Sequence, residues 1–277
     1  LPELPEIETV KLGLEKTVLG SVIVSTKIFR RDLRFPIEER FEKLILNKRV
    51  LAVGRRSKYI LIFLNNKTTL VLHLGMSGKI NVKIENEIDY PAKKHDHLIL
   101  SFDNDFILIY NDPRRFGFVE IIEGDYNNYR RFKHIGIEPL LKQFDGKYMW
   151  ARIKNSTRTL KNILMDQKMV AGLGNIYVSE ALWDSQIIPT RVGQNMSLGD
   201  CKKLVRSIKK VLGKAINFGG TTLKDYRQVG GEVGYFQNKL QVYGKAGQKC
   251  CRQKCQGTIK RAILNGRSTY YCDFCQK

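Results

Sequence analysis

Apolar residues recur at Ile7, Val10, Leu14 and Val18, the three- and four-residue steps of one helix face. This pattern predicts that the chain opens with an amphipathic helix, ended by Gly20. From Val22 onward the period shortens to that of strands. Tyr59–Leu64 and Thr69–Leu74 flank Asn65-Asn66-Lys67, while Leu98–Phe102 and Phe106–Tyr110 flank Asp103-Asn104-Asp105. Each set reads as a hairpin, and several short strands at this spacing predict a sandwich. The polar, basic stretch Asn127–Glu138 reads as a linker. Beyond it, Leu204, Ile208, Val211, Leu212 and Ala215 form a helical stripe with Ser197 placed as its N-cap. That helix breaks at Gly219-Gly220, and short runs around Ile259 and Thr269-Tyr270-Tyr271 predict a final hairpin. The expected fold class is α+β and multidomain. A β-sandwich with a flanking helix spans 1–130, a helical region 131–238, and a small cysteine-bearing module 239–277.

Composition narrows the partners. Among 277 residues, 48 Lys and Arg stand against 27 Asp and Glu, a net charge of +21 spread from Lys11 to Lys277. A folded chain this basic meets a polyanion. A membrane is not expected, because no apolar run approaches about 18 residues and no signal peptide is evident. The expected setting is the cytoplasm. Five of the six cysteines fall between Cys250 and Cys275, which in a reducing compartment points to metal rather than disulfides.

Two stretches carry candidate chemistry of their own. Cys251-x3-Cys255-x16-Cys272-x2-Cys275 has the spacing of a four-cysteine zinc ribbon, with Cys250 as an alternative first ligand. Four thiolates leave no open position for water, so such a zinc ion is structural. Cys201, inside the long helix, reads as a small buried residue. At the other end, Leu1-Pro2-Glu3-Leu4-Pro5-Glu6 places a proline where a free nitrogen would be a nucleophilic secondary amine, with two carboxylates beside it. The plainer role of Pro2 and Pro5 is to start a helix. The amine role requires the mature chain to begin at Pro2, as expected of a leucine codon that initiates with methionine. With Leu1 attached, the Pro2 nitrogen is a tertiary amide. His95-Asp96-His97 has no further ligands in evidence and is read as structural, as is His134.

Pro2-Glu3-Leu4-Pro5-Glu6-Ile7-Glu8-Thr9-Val10 resembles the N-terminus of the formamidopyrimidine-DNA glycosylases, which repair oxidised purines in bacterial DNA. The resemblance runs on through His73-Leu74-Gly75-Met76-Ser77-Gly78, Asn111-Asp112-Pro113-Arg114-Arg115-Phe116-Gly117, Ala171-Gly172-Leu173-Gly174-Asn175 and Gly266-Arg267-Ser268-Thr269. It implies that Pro2, Glu3, Glu6 and Lys58 are catalytic. It implies that Met76, Arg115 and Phe116, with neighbouring Arg114, fill the gap left by a flipped base, Arg115 facing the orphaned cytosine. Lys161 and Asn175, in a helix–two-turn–helix, and Arg267, at the ribbon tip, would grip phosphates. Thr221, Thr222, Leu223, Lys224 and Tyr226 would belong to a loop closing over the lesion, with Glu180 as a candidate to orient it. The usual first cysteine loop of the family favours Cys251 over Cys250. The implied partner is double-stranded DNA with oxidised purines or abasic sites, bound by a monomer, with one zinc ion as cofactor. The rival readings are the endonuclease VIII branch, which prefers oxidised pyrimidines, and a non-catalytic binder of damaged DNA if Leu1 stays on.

Overall fold

The computed structural model describes residues 2–84, 90–221 and 236–277. The chain falls into two compact units. One comprises Leu1–Lys133 with Phe218–Gln237, the other His134–Asn217 with Asn238–Lys277. This differs from the three-way division read along the sequence: the stretch after the long helix returns to the first unit, and the ribbon shares a unit with the helices.

In the first unit, α1 (Leu4–Val18) is followed by β1 (Ile23–Ile28), a short α2 (Phe41–Ile45) and seven further strands. One sheet runs β1-β6-β7-β5, with β5 Lys79–Ile84, β6 Asp96–Phe102 and β7 Phe106–Asn111. The other runs β2-β3-β4-β8, with β2 Val50–Arg56, β3 Tyr59–Leu64, β4 Thr68–His73 and β8 Phe118–Glu123. All neighbouring pairs are antiparallel. Both predicted hairpins are present as β3–β4 and β6–β7. Alternate residues point to one shared core: Ile60 and Ile62 from β3, Leu70 and Leu72 from β4, and Leu98, Leu100 and Leu108 from the facing sheet. A period of two on both sheets feeding a single core is what makes a sandwich. Ile7, Val10, Leu14 and Val18 of α1 complete that core, so the helix that carries the N-terminal motif is fixed by apolar burial.

In the second unit, α3 (Gly146–Ile153), α4 (Leu160–Met165), α5 (Asn175–Asp184) and α6 (Leu198–Asn217) precede the hairpin of β9 (Ile259–Leu264) and β10 (Arg267–Cys272). Ser197 caps α6 as expected: its Oγ accepts the Asp200 N–H at 3.0 Å, and Asp200 reaches back to the Ser197 N–H at 3.1 Å. Cys201 is fully buried on the inner face of α6. The β9–β10 turn is Asn265-Gly266, with φ of 49° and 67°. Positive φ at both central residues matches the right-handed twist of the strands and explains the Asn-Gly pair.

Candidate active site and nucleic-acid-binding elements

Pro2, Glu3 and Glu6 are all buried at the start of α1. Glu3 is the N-cap, and Glu6, three residues on, accepts the Glu3 N–H through Oε2 at 2.9 Å. The other oxygen, Oε1, accepts both the N–H and the hydroxyl of Thr221, at 2.8 and 2.9 Å. Gly220, with φ of 78°, allows this approach, since a Cβ there would stand 3.0 Å from Glu6 Oε1. The Phe236 N–H donates to the Gly220 carbonyl at 3.1 Å. Thr222, Leu223, Lys224 and Tyr226 lie outside the described residues.

Lys58 occupies the tight turn between β2 and β3, where Ser57 has φ of 54°. Arg55 ties that turn to α1: its Nε donates to Glu8 Oε2 at 2.7 Å, and its Nη1 to the Ser57 carbonyl at 2.8 Å. With its side chain 9% exposed, Arg55 holds a pair that water screens poorly. Along the chain Glu8 and Arg55 look like ordinary surface charges, 47 residues apart, and only the fold joins them.

His73, at the root of the loop that carries Met76, lies close to this turn, its ring 4.9 Å from that of Tyr59. His73 Nδ1 accepts the Gly75 N–H at 3.1 Å, which requires a neutral imidazole. Burial first, then the positive charges of Lys58, Arg34 and Arg131, depress the His73 pKa from 6.5 to about 4. A base that is harder to protonate when folded contributes stability that is present above about pH 6.5 and lost as the pH falls through about 4. His73→Gln, which keeps an acceptor but cannot titrate, should flatten the fall in urea midpoint across that window. Equal slopes in both proteins would assign the fall to other groups.

Within the second loop, the two arginines part company. The Arg114 guanidinium lies over the Phe116 ring at 4.6 Å, while Arg115 donates to Asp32 Oδ2 at 2.7 Å from a backbone with φ of 54°. The family resemblance implies that Arg115 fills the gap with Phe116 and faces the orphaned cytosine. Its left-handed backbone turns it toward Asp32 and leaves Arg114 as the cation on the exposed ring. Behind these loops, His97 Nε2 meets the Asp112 carbonyl at 2.8 Å, and Asp96 accepts from Tyr90 and Asn111. The His95–His97 stretch is thus structural.

In the second unit, α4, a turn and the start of α5 form a compact corner. The Gln167 carboxamide clasps it, donating to the Leu173 carbonyl and accepting the Gly172 N–H, each at 2.8 Å. The first turn of α5 follows Gly174, so its N–H groups and dipole favour an anion. Lys161 is 1% exposed, and its Nζ donates to the Asn175 carbonyl and the Ser179 hydroxyl at 3.3 and 3.2 Å. It lies beneath this turn rather than on the surface. Asn175 Nδ2 donates to the Ser268 carbonyl at 2.8 Å, coupling the corner to the residue after exposed Arg267. Glu180, the candidate to orient the lesion loop, has bonds of its own within the second unit. It accepts the backbone N–H groups of Gln241, Val242 and Tyr243 at 2.8–2.9 Å and so fixes the lead-in to the ribbon. Burial raises its pKa against those three donors.

Among the described residues, the sulfurs of Cys250, Cys255, Cys272 and Cys275 lie within 4.8 Å of one another. The first of these corrects the sequence reading. Cys251 is exposed, and its thiol meets Gln241 Oε1 at 2.9 Å. Cys250 is instead buried, its N–H held by the Gly257 carbonyl and its sulfur by Trp183 Nε1 at 3.4 Å. Of the two neighbours, Cys250 is therefore the one that faces the cluster. Four thiolates about 2.3 Å from zinc have tetrahedral edges of roughly 3.8 Å. The Cys250–Cys275 and Cys255–Cys272 sulfur separations are 3.9 and 3.7 Å, so the donor set fits a four-coordinate metal.

Residues 1–119 match the family model for the formamidopyrimidine-DNA glycosylase N-terminal domain, and residues 135–227 that for the formamidopyrimidine-DNA glycosylase H2TH domain. The chain is 41% identical to formamidopyrimidine-DNA glycosylases of Zymomonas mobilis and Ruegeria pomeroyi, with all of each chain covered. Among solved structures, it is similar to Lactococcus lactis Fpg in complex with abasic-site DNA, at 38% identity and a TM-score of 0.89 over 99% of both chains. A mutant of the same protein bound to Fapy-dG-containing DNA matches at 37% identity and a TM-score of 0.89 over the whole of both chains. With both domains and the full length in agreement, this chain belongs to the formamidopyrimidine-DNA glycosylase family.

Proposed function

We propose that this chain is a bifunctional DNA glycosylase and abasic-site lyase that removes oxidised purines, 8-oxoguanine and formamidopyrimidines, from double-stranded DNA. The observation that carries the reading is Glu6, which holds the Glu3 N–H with one oxygen and Thr221 with the other. It joins the buried catalytic carboxylates to the base of the segment that would cover a flipped nucleotide. The Pro2 nitrogen, free in a mature chain beginning there, attacks C1′, and the base departs with the electrons of the glycosidic bond and takes up a proton. Glu3 protonates the sugar ring oxygen as the ring opens, leaving an iminium. Loss of the C2′ proton expels the 3′ phosphate, and a second elimination expels the 5′ phosphate. Lys58, held by the Arg55 clasp, places a positive charge for the phosphate. The iminium is the electron sink, and the chemistry rests on these side chains.

Met76, Arg114 and Phe116 would replace the extruded base in the stack, the 4.6 Å stacking on Phe116 favouring Arg114 over Arg115 for the orphaned partner. Arg267 and the first turn of α5 would grip phosphates, with Lys161 charging that turn from beneath. Cys250, Cys255, Cys272 and Cys275 would hold one zinc ion, which crosslinks the ribbon and supports Arg267. No helix among the described residues is long and apolar enough to cross a membrane. The chain would act on cytoplasmic DNA as a single copy.

The test uses one duplex sequence with 8-oxoguanine opposite cytosine, with an oxidised pyrimidine, or with a ready-made abasic site. Excision of the purine and cleavage of the abasic strand are expected. Preference for the pyrimidine would place the chain in the endonuclease VIII branch, and binding without excision would make it a damage binder. Phe116→Ala should lower purine excision about 10- to 100-fold and abasic cleavage far less, because extrusion costs a few kcal/mol only where a base must leave the stack. Equal losses on both substrates would point to a folding defect.

A further inference from the structure

Resting on the reading of Met76, Arg114 and Phe116 as the group that fills the emptied stack, we infer that Asp112 is the positioning residue that makes the two loops carrying them one rigid wedge. Asp112 is fully buried, yet it lies between the loops at the end of β7. Its Oδ1 accepts the Ser77 hydroxyl at 2.7 Å and the Arg114 N–H at 3.3 Å. Its Oδ2 accepts the Gly117 N–H at 2.8 Å. One carboxylate thus grips the residue after Met76, the backbone of Arg114 and the residue after Phe116. The Arg114 N–H also reaches Ser77 Oγ at 3.3 Å, so the loops meet at the same point twice.

The backbones are packed as closely as the clasp. A Cβ on Gly75 would stand 2.4 Å from the Gly117 nitrogen and from the Phe116 carbonyl carbon. One on Gly117 would stand 2.0 Å from the Tyr110 hydroxyl and 2.3 Å from the His73 carbonyl. Gly75, with φ of 58°, also needs a conformation that L side chains avoid. The Tyr110 hydroxyl donates to the His73 carbonyl at 2.8 Å, and His97 Nε2 meets the Asp112 carbonyl at 2.8 Å. The root of the wedge is therefore fixed from the strands below, while Phe116 is 42% exposed at its tip. A side chain inserted into a stack does work only if its base does not yield. Two loops tied at one buried carboxylate move together or not at all.

Asp112 touches no reacting atom, so its removal should affect extrusion and spare the elimination chemistry. Asp112→Asn offers one acceptor where the carboxylate offered two. Single-turnover excision of 8-oxoguanine paired with cytosine should fall about 10- to 100-fold, the loss expected when buried donors lack an acceptor. Cleavage of a ready-made abasic site in the same duplex should fall less than about threefold. A 2-aminopurine placed beside the lesion reads unstacking directly, and its fluorescence rise should slow in step with excision. Equal losses on both substrates at an unchanged melting temperature, or no loss on either, would overturn the inference. If Asp112→Asn does not fold, Ser77→Ala replaces it. That variant removes one hydroxyl, leaves Gly117 held, and should show the same split at about 3- to 10-fold; a folded Ser77→Ala without the split overturns the inference as well. Failure of the wild-type protein to excise or be trapped would instead sink the catalytic reading. The 2-aminopurine signal then still decides whether Asp112 governs wedge insertion.

Discussion

Borohydride should trap a protein beginning at Pro2 covalently on DNA carrying an oxidised purine, and should not trap a protein that keeps any residue before Pro2. The two chains differ by one peptide bond. That bond turns a secondary amine with a basic lone pair into a tertiary amide whose lone pair is delocalised. Without a nucleophile there is no iminium, so excision and strand cleavage should fall below detection while binding to lesion duplex survives, because the inserted loops, the basic residues and the ribbon are unchanged. Pro2→Gly still presents an amine and should keep some trapping. The burial of Pro2 beside Glu3 and Glu6 explains why so small a change would act so strongly, since an added residue must also be accommodated against the capped start of α1. Intact-mass analysis identifies the N-terminus in each preparation. If the form retaining Leu1 is trapped as well as the form starting at Pro2, the N-terminal nitrogen is not the nucleophile, and Lys58 becomes the first residue to examine.

Cys250→Ser should lose the bound zinc, whereas Cys251→Ser should keep one equivalent. The sulfur of Cys250 is 3.9 Å from that of Cys275 and is held by Trp183, while the Cys251 thiol meets Gln241 on the outside. A three-cysteine remnant holds zinc poorly, and in so small a hairpin metal binding and folding are one process. Loss of the metal should disorder the turn that presents Arg267 and the Ser268 carbonyl that Asn175 grips. Affinity for lesion duplex should then drop about 10- to 100-fold, the range for a lost hydrogen bond to a charged group. Cys251→Ser should leave affinity within about twofold. Metal content by atomic emission and binding by fluorescence anisotropy decide it. Zinc lost from Cys251→Ser and retained in Cys250→Ser would reverse the assignment, and unchanged binding with the metal gone would sever the ribbon from DNA recognition.

Periodicity and motif chemistry made much of this protein legible from its residues. The 7-10-14-18 stripe placed α1, the turn residues placed two hairpins, and Ser197 placed the start of α6, because each depends on contacts a few residues apart. The N-terminal motif and the clustered cysteines were equally visible, since proximity in sequence there is proximity in space. What the tertiary structure alone decided is long-range. The choice of Cys250 over Cys251 turns on which neighbour faces inward against Trp183. That Arg114, not Arg115, lies over the Phe116 ring turns on one positive φ and on Asp32, 83 residues away. The Glu6–Thr221 bond spans 215 residues, and the Asp112 clasp joins loops whose residues look like plain turn formers in sequence. A sequence records which groups can bond. Which of many equivalent partners a buried carboxylate meets is set by the packing of two sheets and a helix, whose apolar burial outweighs the choice of any single polar contact.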